Sequence, residues 1–199
     1  MTVDQSTRIA PTVSTDALAG SESVAAHDIS VPDYYRANPD VNALIVGAVV
    51  FCGDEILVIQ RAAGDFAGLM WEVPGGCCEA DKDSTVLAGV ARELLEETGL
   101  HLRSIKRVVD EVDIPDHQKV DFMWRKVTFE VEVEEGHGLA AADKREIMTA
   151  AVKLEPDEHQ DWGWASESQV KEKKWPKGTL DSLSLQHESI LQAFRTRTG

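Results

Sequence analysis

The chain has 199 residues, 43% of them hydrophobic, with 35 acidic against 20 basic side chains and a formal net charge of −15 at pH 7. That is room for one domain of ordinary size plus tails, with enough apolar content for a packed core. The charge argues against a nucleic-acid polymer as partner unless locally basic surface overrides it, but leaves a small anionic substrate open, because a bound cation can dominate the charge of a site.

The three cysteines, Cys52, Cys77 and Cys78, are an odd number with two adjacent, which is no disulfide framework. No CxxC or His/Cys cluster suggests structural zinc. No stretch is long and apolar enough to span a bilayer, and the first residues carry neither a signal-peptide pattern nor the acid-free composition of a presequence. A reducing, cytoplasmic location with no membrane partner is the expectation.

Residues 1 to about 27 are rich in Ser, Thr, Ala and Asp without a sustained period, and the expectation is a disordered tail ahead of one domain over 28–199. Residues 31–40 read as an irregular lead-in. Residues 41–51 are a strongly apolar strand, 52–55 a turn and 56–61 the returning strand of a hairpin. A glycine-containing loop follows, then a short strand at 71–73. Further strands are expected at 105–112, at 122–133 with clear alternation, and at 147–154 after a charged loop. Residues 156–163 read as a loop, 166–173 as a helical turn, and 182–195 as a closing helix with Leu183, Leu185, Ile190, Leu191 and Phe194 for its buried side. Strands alternating with two substantial helices predict an α/β sandwich around a mixed sheet.

The informative stretch runs from Gly75 to Leu100. Thr85 suits a helix N-cap and Gly99 a C′ glycine. At about 100° per residue, Glu93, Glu96 and Glu97 share one narrow arc while Leu87, Val90, Ala91, Leu94 and Leu95 lie opposite. Carboxylates at these spacings repel one another. A solvated acidic face is the bland explanation. A divalent cation is the functional one, since Mg²⁺ takes a few carboxylates, several waters and phosphate oxygens. The lead-in Trp71-Glu72-Val73-Pro74-Gly75-Gly76 favours the second, because strand, Gly-Gly loop and helix let backbone approach a phosphate closely.

Arg92-Glu93-Leu94-Leu95-Glu96-Glu97-Thr98-Gly99-Leu100 resembles the second half of the Nudix box, Gly-x5-Glu-x7-Arg-Glu-U-x-Glu-Glu-x-Gly-U, with U a bulky aliphatic residue. The first half departs from it. Fifteen residues separate Gly76 from Arg92, two more than in the family, and Ser84 stands where the family has its first glutamate. That glutamate braces the arginine. Here the task would fall to Asp83, Asp81 or Glu79, and Asp83, nearest the helix start, is the one expected.

The resemblance implies a Nudix-like α/β/α sandwich around a mixed β-sheet. It also implies Mg²⁺ (or Mn²⁺) held by Glu93, Glu96, Glu97 and the Gly75 carbonyl, with Arg92 orienting a glutamate. The general base would be Glu93, Glu97 or a later-loop glutamate, for which Glu158 in Glu158-His159-Gln160-Asp161-Trp162-Gly163-Trp164 is the match. Arg61 at a strand end, Gly76 in the glycine loop and Trp162 are the candidate substrate contacts; His159 reads as a structural or substrate-contacting side chain.

The implied activity is metal-dependent hydrolysis of a diphosphate joining a nucleoside diphosphate to another group, acting on a small molecule. A homodimer is compatible with it. Rivals are a nucleotide-binding module that has lost catalysis, suggested by the replaced first glutamate, and a hydrolase of a non-nucleotide diphosphate such as an isoprenoid or inositol diphosphate. An isoprenoid diphosphate isomerase is less favoured, since Cys77 and Cys78 lie in the phosphate loop.

Overall fold

The computed structural model describes residues 22–197. Residues 1–21, most of the expected tail, lie outside the described part. The expectation fails for the rest of that segment. Helix α1 (Glu22–Ala25) buries Val24 completely, and His27 is buried with its ring edge-on to Phe129 at 5.3 Å. The lead-in is also helical: α2 (Val31–Ala37) starts at Ser30, whose hydroxyl accepts from the Asp33 N–H, and has Pro32 in its first turn, where a missing N–H costs nothing.

Strand β1 (Ala43–Cys52) and β2 (Glu55–Arg61) form the predicted hairpin, turned at Gly53 with φ 60°. They pair only next to the turn, at Phe51 with Ile56 and Cys52 with Glu55, and then diverge. Beyond that point β2 takes β3 (Trp71–Glu72) and β7 (His159–Ser166) as antiparallel partners. On the other half β1 pairs antiparallel with β4 (Gly75–Cys77) and parallel with β6 (Met123–Val133), and β6 pairs antiparallel with β5 (Leu102–Pro115). The result is a mixed seven-stranded sheet whose halves splay apart from the β1–β2 turn.

Helices cover both faces. On one, α3 (Val86–Thr98) packs Val86, Leu87, Val90 and Leu94 against Leu44, Val46, Val127 and Phe129. On the other, α6 (Ser184–Thr196) packs Ile190, Leu191 and Ala193 against Val49, Phe51 and Val58. Burial of such aliphatic side chains contributes roughly 1.5–3 kcal/mol each. This is the predicted α/β/α sandwich. At the start of α6, however, the N-cap Leu183 and Leu185 stay exposed, while Gln186 and Ser189 are buried.

Two more expectations are corrected. Residues 147–154 are no strand: α4 (Ala141–Ala151) runs through Ile147, and of its residues only Met148 is buried. A short apolar run cannot tell strand from helix, and the preceding Ala, Lys, Arg and Glu are good helix formers. Residues 159–163 are part of β7 rather than loop. After β7 come α5 (Glu167–Glu172), opened by a capping box on Ser166, and a small hairpin of β8 (Lys174–Trp175) and β9 (Gly178–Thr179).

Candidate active site

The splay between β1 and β2 is where the glycine loop, the amino acids of α3 and the start of β7 meet. Gly75 is possible only as glycine. Its φ is 157°, and a Cβ there would sit 2.1 Å from the Val46 carbonyl oxygen. Gly76 serves differently: a Cβ would fall 2.6–2.7 Å from the carboxylate of Glu93, so the backbone packs directly on that side chain.

Helix α3 begins as predicted. The Thr85 hydroxyl accepts from the Ala88 N–H, and Gly99 caps the other end at φ 72°. One face carries Glu93 and Glu97, both buried, toward the glycine loop. Glu97 Oε2 accepts the Gly75 N–H at 2.6 Å. Burial pushes the Glu97 carboxyl well up from its ordinary range, only partly opposed by that hydrogen bond and reinforced by Glu72, Glu93 and Glu158. Glu93 is also raised, burial outweighing the Arg92 charge beside it. Glu96 is exposed, and its carboxylate takes a hydrogen bond from Arg92 Nη1 at 2.9 Å.

Arg92 is the hub of the loop. Its Nε and Nη2 donate to the two oxygens of Asp83 at 2.8 and 2.9 Å. Nη2 also donates to the Cys77 carbonyl, and Nη1 lies 2.8 Å from Glu93 Oε1. Asp83 is 2% exposed, takes the Glu79 N–H at 2.8 Å and lies over Gly89, where a Cβ would approach it to 3.1 Å. The two-residue-longer loop therefore returns a carboxylate to the arginine, through Asp83 as expected. Glu79 instead pairs with Lys82 on the surface.

The cleft has a volume of about 400 Å³, and Arg61, Gly75, Gly76, Glu93, Glu97, Glu158 and His159 are among its lining residues. A slightly larger concavity, about 420 Å³, lies by the β5–β6 turn against Asn42, Lys119 and Phe122. It shares no residue with the cleft and touches none of the box glutamates.

Glu158 is exposed at the mouth of the cleft, just before β7. Ligand atoms of Glu97, Glu158 and His159 lie within 4.8 Å of one another. Carboxylates converging at that spacing, with a glycine loop beside them, fit a divalent cation and the phosphate oxygens it would hold. Glu93 and Glu97 are placed to contribute. Glu96, tied to Arg92 on the exposed side, is not among the lining residues, and the interaction shown for Gly75 is through its N–H.

Arg61 lines the cleft but is already engaged, donating to Glu72 Oε1 at 2.6 Å, to the Phe66 carbonyl and to Asp65. Trp162 is not a lining residue; it is half-buried, packed on the core and edge-on to Trp164 at 6.3 Å. Cys77 is exposed and Cys78 buried; both are free thiols, as is buried Cys52. Burial raises the Cys78 thiol above its ordinary range, and partial desolvation with the nearby Glu93 and Glu79 charges raises that of Cys77, which disfavours the reactive thiolate.

Two site residues escaped the sequence reading. Glu72 is buried behind the cleft. Burial pushes its carboxyl up, but His159 at 3.3 Å, Arg61 and Lys126 outweigh that and hold it below its ordinary value. Lys126, on β6, is buried facing Glu72, Asp110 and Glu97, and burial brings its ammonium down to about 8. A side chain at Gly47 would come within 3.3 Å of Lys126 Cε, so the glycine leaves the stem its room. Alternation along residues 122–133 assigns Lys126 to a polar face, but the sheet is covered on both sides, so that face is also interior. No signal in the sequence marks it.

A NUDIX domain family model matches residues 41–184, more than half of the chain. Among solved structures, the chain is similar to a MutT NUDIX hydrolase from Burkholderia pseudomallei, with 20% identity and a TM-score of 0.55 over 75% of this chain and 96% of that one. It is similar to a NUDIX hydrolase from Nitrosomonas europaea, with 16% identity and a TM-score of 0.56 over 79% and 72%. It is also similar to the NUDIX domain of Shewanella oneidensis NrtR, solved with ADP ribose, with 20% identity and a TM-score of 0.55 over 83% and 98%. The search of curated proteins gives no match. At such identities the likeness to the solved structures is one of fold. Among the described residues, no helix is long and apolar enough to cross a membrane.

Proposed function

The chain belongs to the Nudix family, as a pyrophosphohydrolase, and on that premise we propose that it uses a divalent cation to hydrolyse the diphosphate linkage of a nucleoside diphosphate joined to another group. The observation that carries the reading is the convergence of Glu93, Glu97 and Glu158 on one cleft beside the Gly75–Gly76 backbone. A bound cation would neutralise the diphosphate, stabilise the transition-state charge and acidify an attacking water.

The chain's own residues would do the rest. Glu93 and Glu97 hold the cation from one helix face, with Glu96 as an outer member of the set. Arg92, fixed by Asp83, orients Glu93 and Glu96. Glu97, in the cleft beside the glycine loop, is one group placed to act as the general base. Glu158 is the alternative base on the opposite wall. The Gly75–Gly76 loop gives phosphate oxygens an approach that no side chain obstructs. Arg61 positions Glu72 and the loop ahead of it, and reaches substrate only by exchanging a present partner. The rival reading of a binding module without catalysis drew on the missing first glutamate, and Asp83 supplies that carboxylate.

The experiment is a product-release panel with Mg²⁺ and with Mn²⁺ over nucleoside diphosphate sugars including ADP-ribose, dinucleoside polyphosphates, oxidised nucleoside triphosphates, isoprenoid diphosphates and diphosphoinositols. Metal-dependent cleavage of a nucleoside diphosphate derivative is expected. Preference for an isoprenoid or inositol diphosphate would overturn the nucleotide half of the proposal, and no turnover anywhere would overturn the whole.

A further inference from the structure

We propose that His159 is a nitrogen ligand of the cation, and that the site therefore favours first-row transition cations over Mg²⁺. The inference rests on the reading above that the cleft holds a divalent cation. It assigns to that cation a residue outside the box helix and a donor of a different chemical kind.

His159 opens β7 and is 2% exposed, yet it lines the cleft. A buried imidazole normally satisfies both ring nitrogens. Here Nε2 lies 3.3 Å from Glu72 Oε1 and 3.9 Å from Glu97 Oε1, while Nδ1 has no hydrogen-bond partner. Nε2 is thus the nitrogen on the Glu97 side and Nδ1 has no partner, so the ring carries donor capacity that the protein's own hydrogen bonds do not use. A ring nitrogen also lies within 4.8 Å of a carboxylate oxygen of Glu97 and of Glu158, close enough for one ion to touch all three with small side-chain movements, since bonds to such cations are about 2.0–2.2 Å long.

Glu72 is the natural partner of such a ligand. It is buried, held at Oε1 by Arg61 at 2.6 Å and at Oε2 by Gln186 Nε2 at 3.2 Å. A fixed carboxylate behind an imidazole orients the ring and raises its basicity. Mg²⁺ demands oxygen donors and keeps its waters; imidazole is a donor that later first-row cations accept more readily. A site of carboxylates alone would not separate these cations in this way.

Mn²⁺ is the probe, because pulsed EPR detects nitrogen bound directly to it. The full-length protein loaded with Mn²⁺ should show ¹⁴N modulation, which should change with ¹⁵N-histidine labelling and vanish in His159→Gln. His101→Gln, at an exposed histidine paired with Glu135, should keep it. In titrations, His159→Gln should weaken Co²⁺ binding about 10-fold and leave Mg²⁺ binding within about twofold. Bound Mn²⁺ without nitrogen modulation in the unaltered protein, or modulation that persists in His159→Gln, would overturn this inference alone. Failure to bind Mn²⁺ would overturn the metal-dependent reading and this inference with it. The signal in the unaltered protein decides the matter even if the variant misfolds.

Discussion

Arg92 and Asp83 form a fork-to-fork ion pair, with Nε and Nη2 donating to Oδ1 and Oδ2 at 2.8 and 2.9 Å. Two parallel charge-assisted bonds fix orientation as well as distance. The pair is largely buried, so losing one partner strands the other, at a cost of about 3–5 kcal/mol in the worst case. The same guanidinium contacts Glu93 and Glu96, which couples the loop to the cation-facing side of α3.

Asp83→Asn should therefore weaken metal binding about 10-fold, as changes behind a ligand do. Arg92→Ala should do at least as much, and the double variant should add little to it. Asp81→Asn and Glu79→Gln should leave binding unchanged, because Asp81 is exposed and Glu79 pairs on the surface. Calorimetric Mg²⁺ or Mn²⁺ titrations of the five variants decide it. A silent Asp83→Asn beside a damaging Arg92→Ala would sink the bracing role.

How much of this was legible follows from where the determinants lie. The α3 caps, its acidic face and the β1–β2 hairpin are local patterns, and Thr85, Gly99 and Gly53 do what their residue types suggest. Asp83 was legible too, because a missing charge next to an arginine narrows the search to the nearest carboxylates. Glu72 and Lys126 were not. Their roles come from elements distant in sequence, two strands and helix α6, that bring Arg61, His159 and Gln186 around one carboxylate. The helix at Ala141–Ala151 was misjudged because Ile147, Met148 and Val152 form an apolar run whose burial depends on tertiary packing, and only Met148 of α4 is covered. Trp162 was judged by chemistry alone, and β7 sets its ring against Trp164 instead.

Glu97→Gln keeps the shape and an acceptor for the Gly75 N–H while removing a buried charge. Turnover should fall at least ~100-fold if the carboxylate is a ligand or the base. Stability should not fall, since burial disfavours the ionised form; active-site groups often trade stability for function. Turnover and urea midpoints measured on the same preparation test both halves. Near wild-type turnover under saturating Mg²⁺ would remove Glu97 from the mechanism.

The two glycines of the loop should fail differently. Gly75→Ala puts a methyl 2.1 Å from a backbone carbonyl oxygen at a φ that L residues avoid, so β4 must leave β1 and the fold should lose several kcal/mol. Gly76→Ala meets only the end of the Glu93 side chain, which can turn aside. That variant should fold nearly normally and bind metal weakly. Thermal melts beside metal titrations separate the cases, and equal melting losses would contradict the distinction.

Lys126 allows a prediction whose sign is fixed by linkage. Its ordinary value is 10.5 and the folded protein brings it down to about 8, burial outweighing the attraction of Glu72, Asp110 and Glu97. Below about pH 8 the ammonium is charged in both states, and the folded protein bears the full cost of burying it. Between about 8 and 10.5 the folded protein has released the proton while the unfolded chain still holds it, so unfolding takes up a proton and stability rises with pH. Above 10.5 the gain is complete. Lys126→Met retains most of the aliphatic stem and cannot titrate, so the stability of the unaltered protein relative to this variant should be flat to about pH 8 and then climb. The total gain is on the order of 3 kcal/mol. Other lysines and the tyrosines titrate in both proteins and cancel in the difference. Urea unfolding of the two proteins at pH 7 and pH 10 measures it. A difference that does not change between those pH values would mean that Lys126 keeps its ordinary proton affinity and is hydrated in the folded protein.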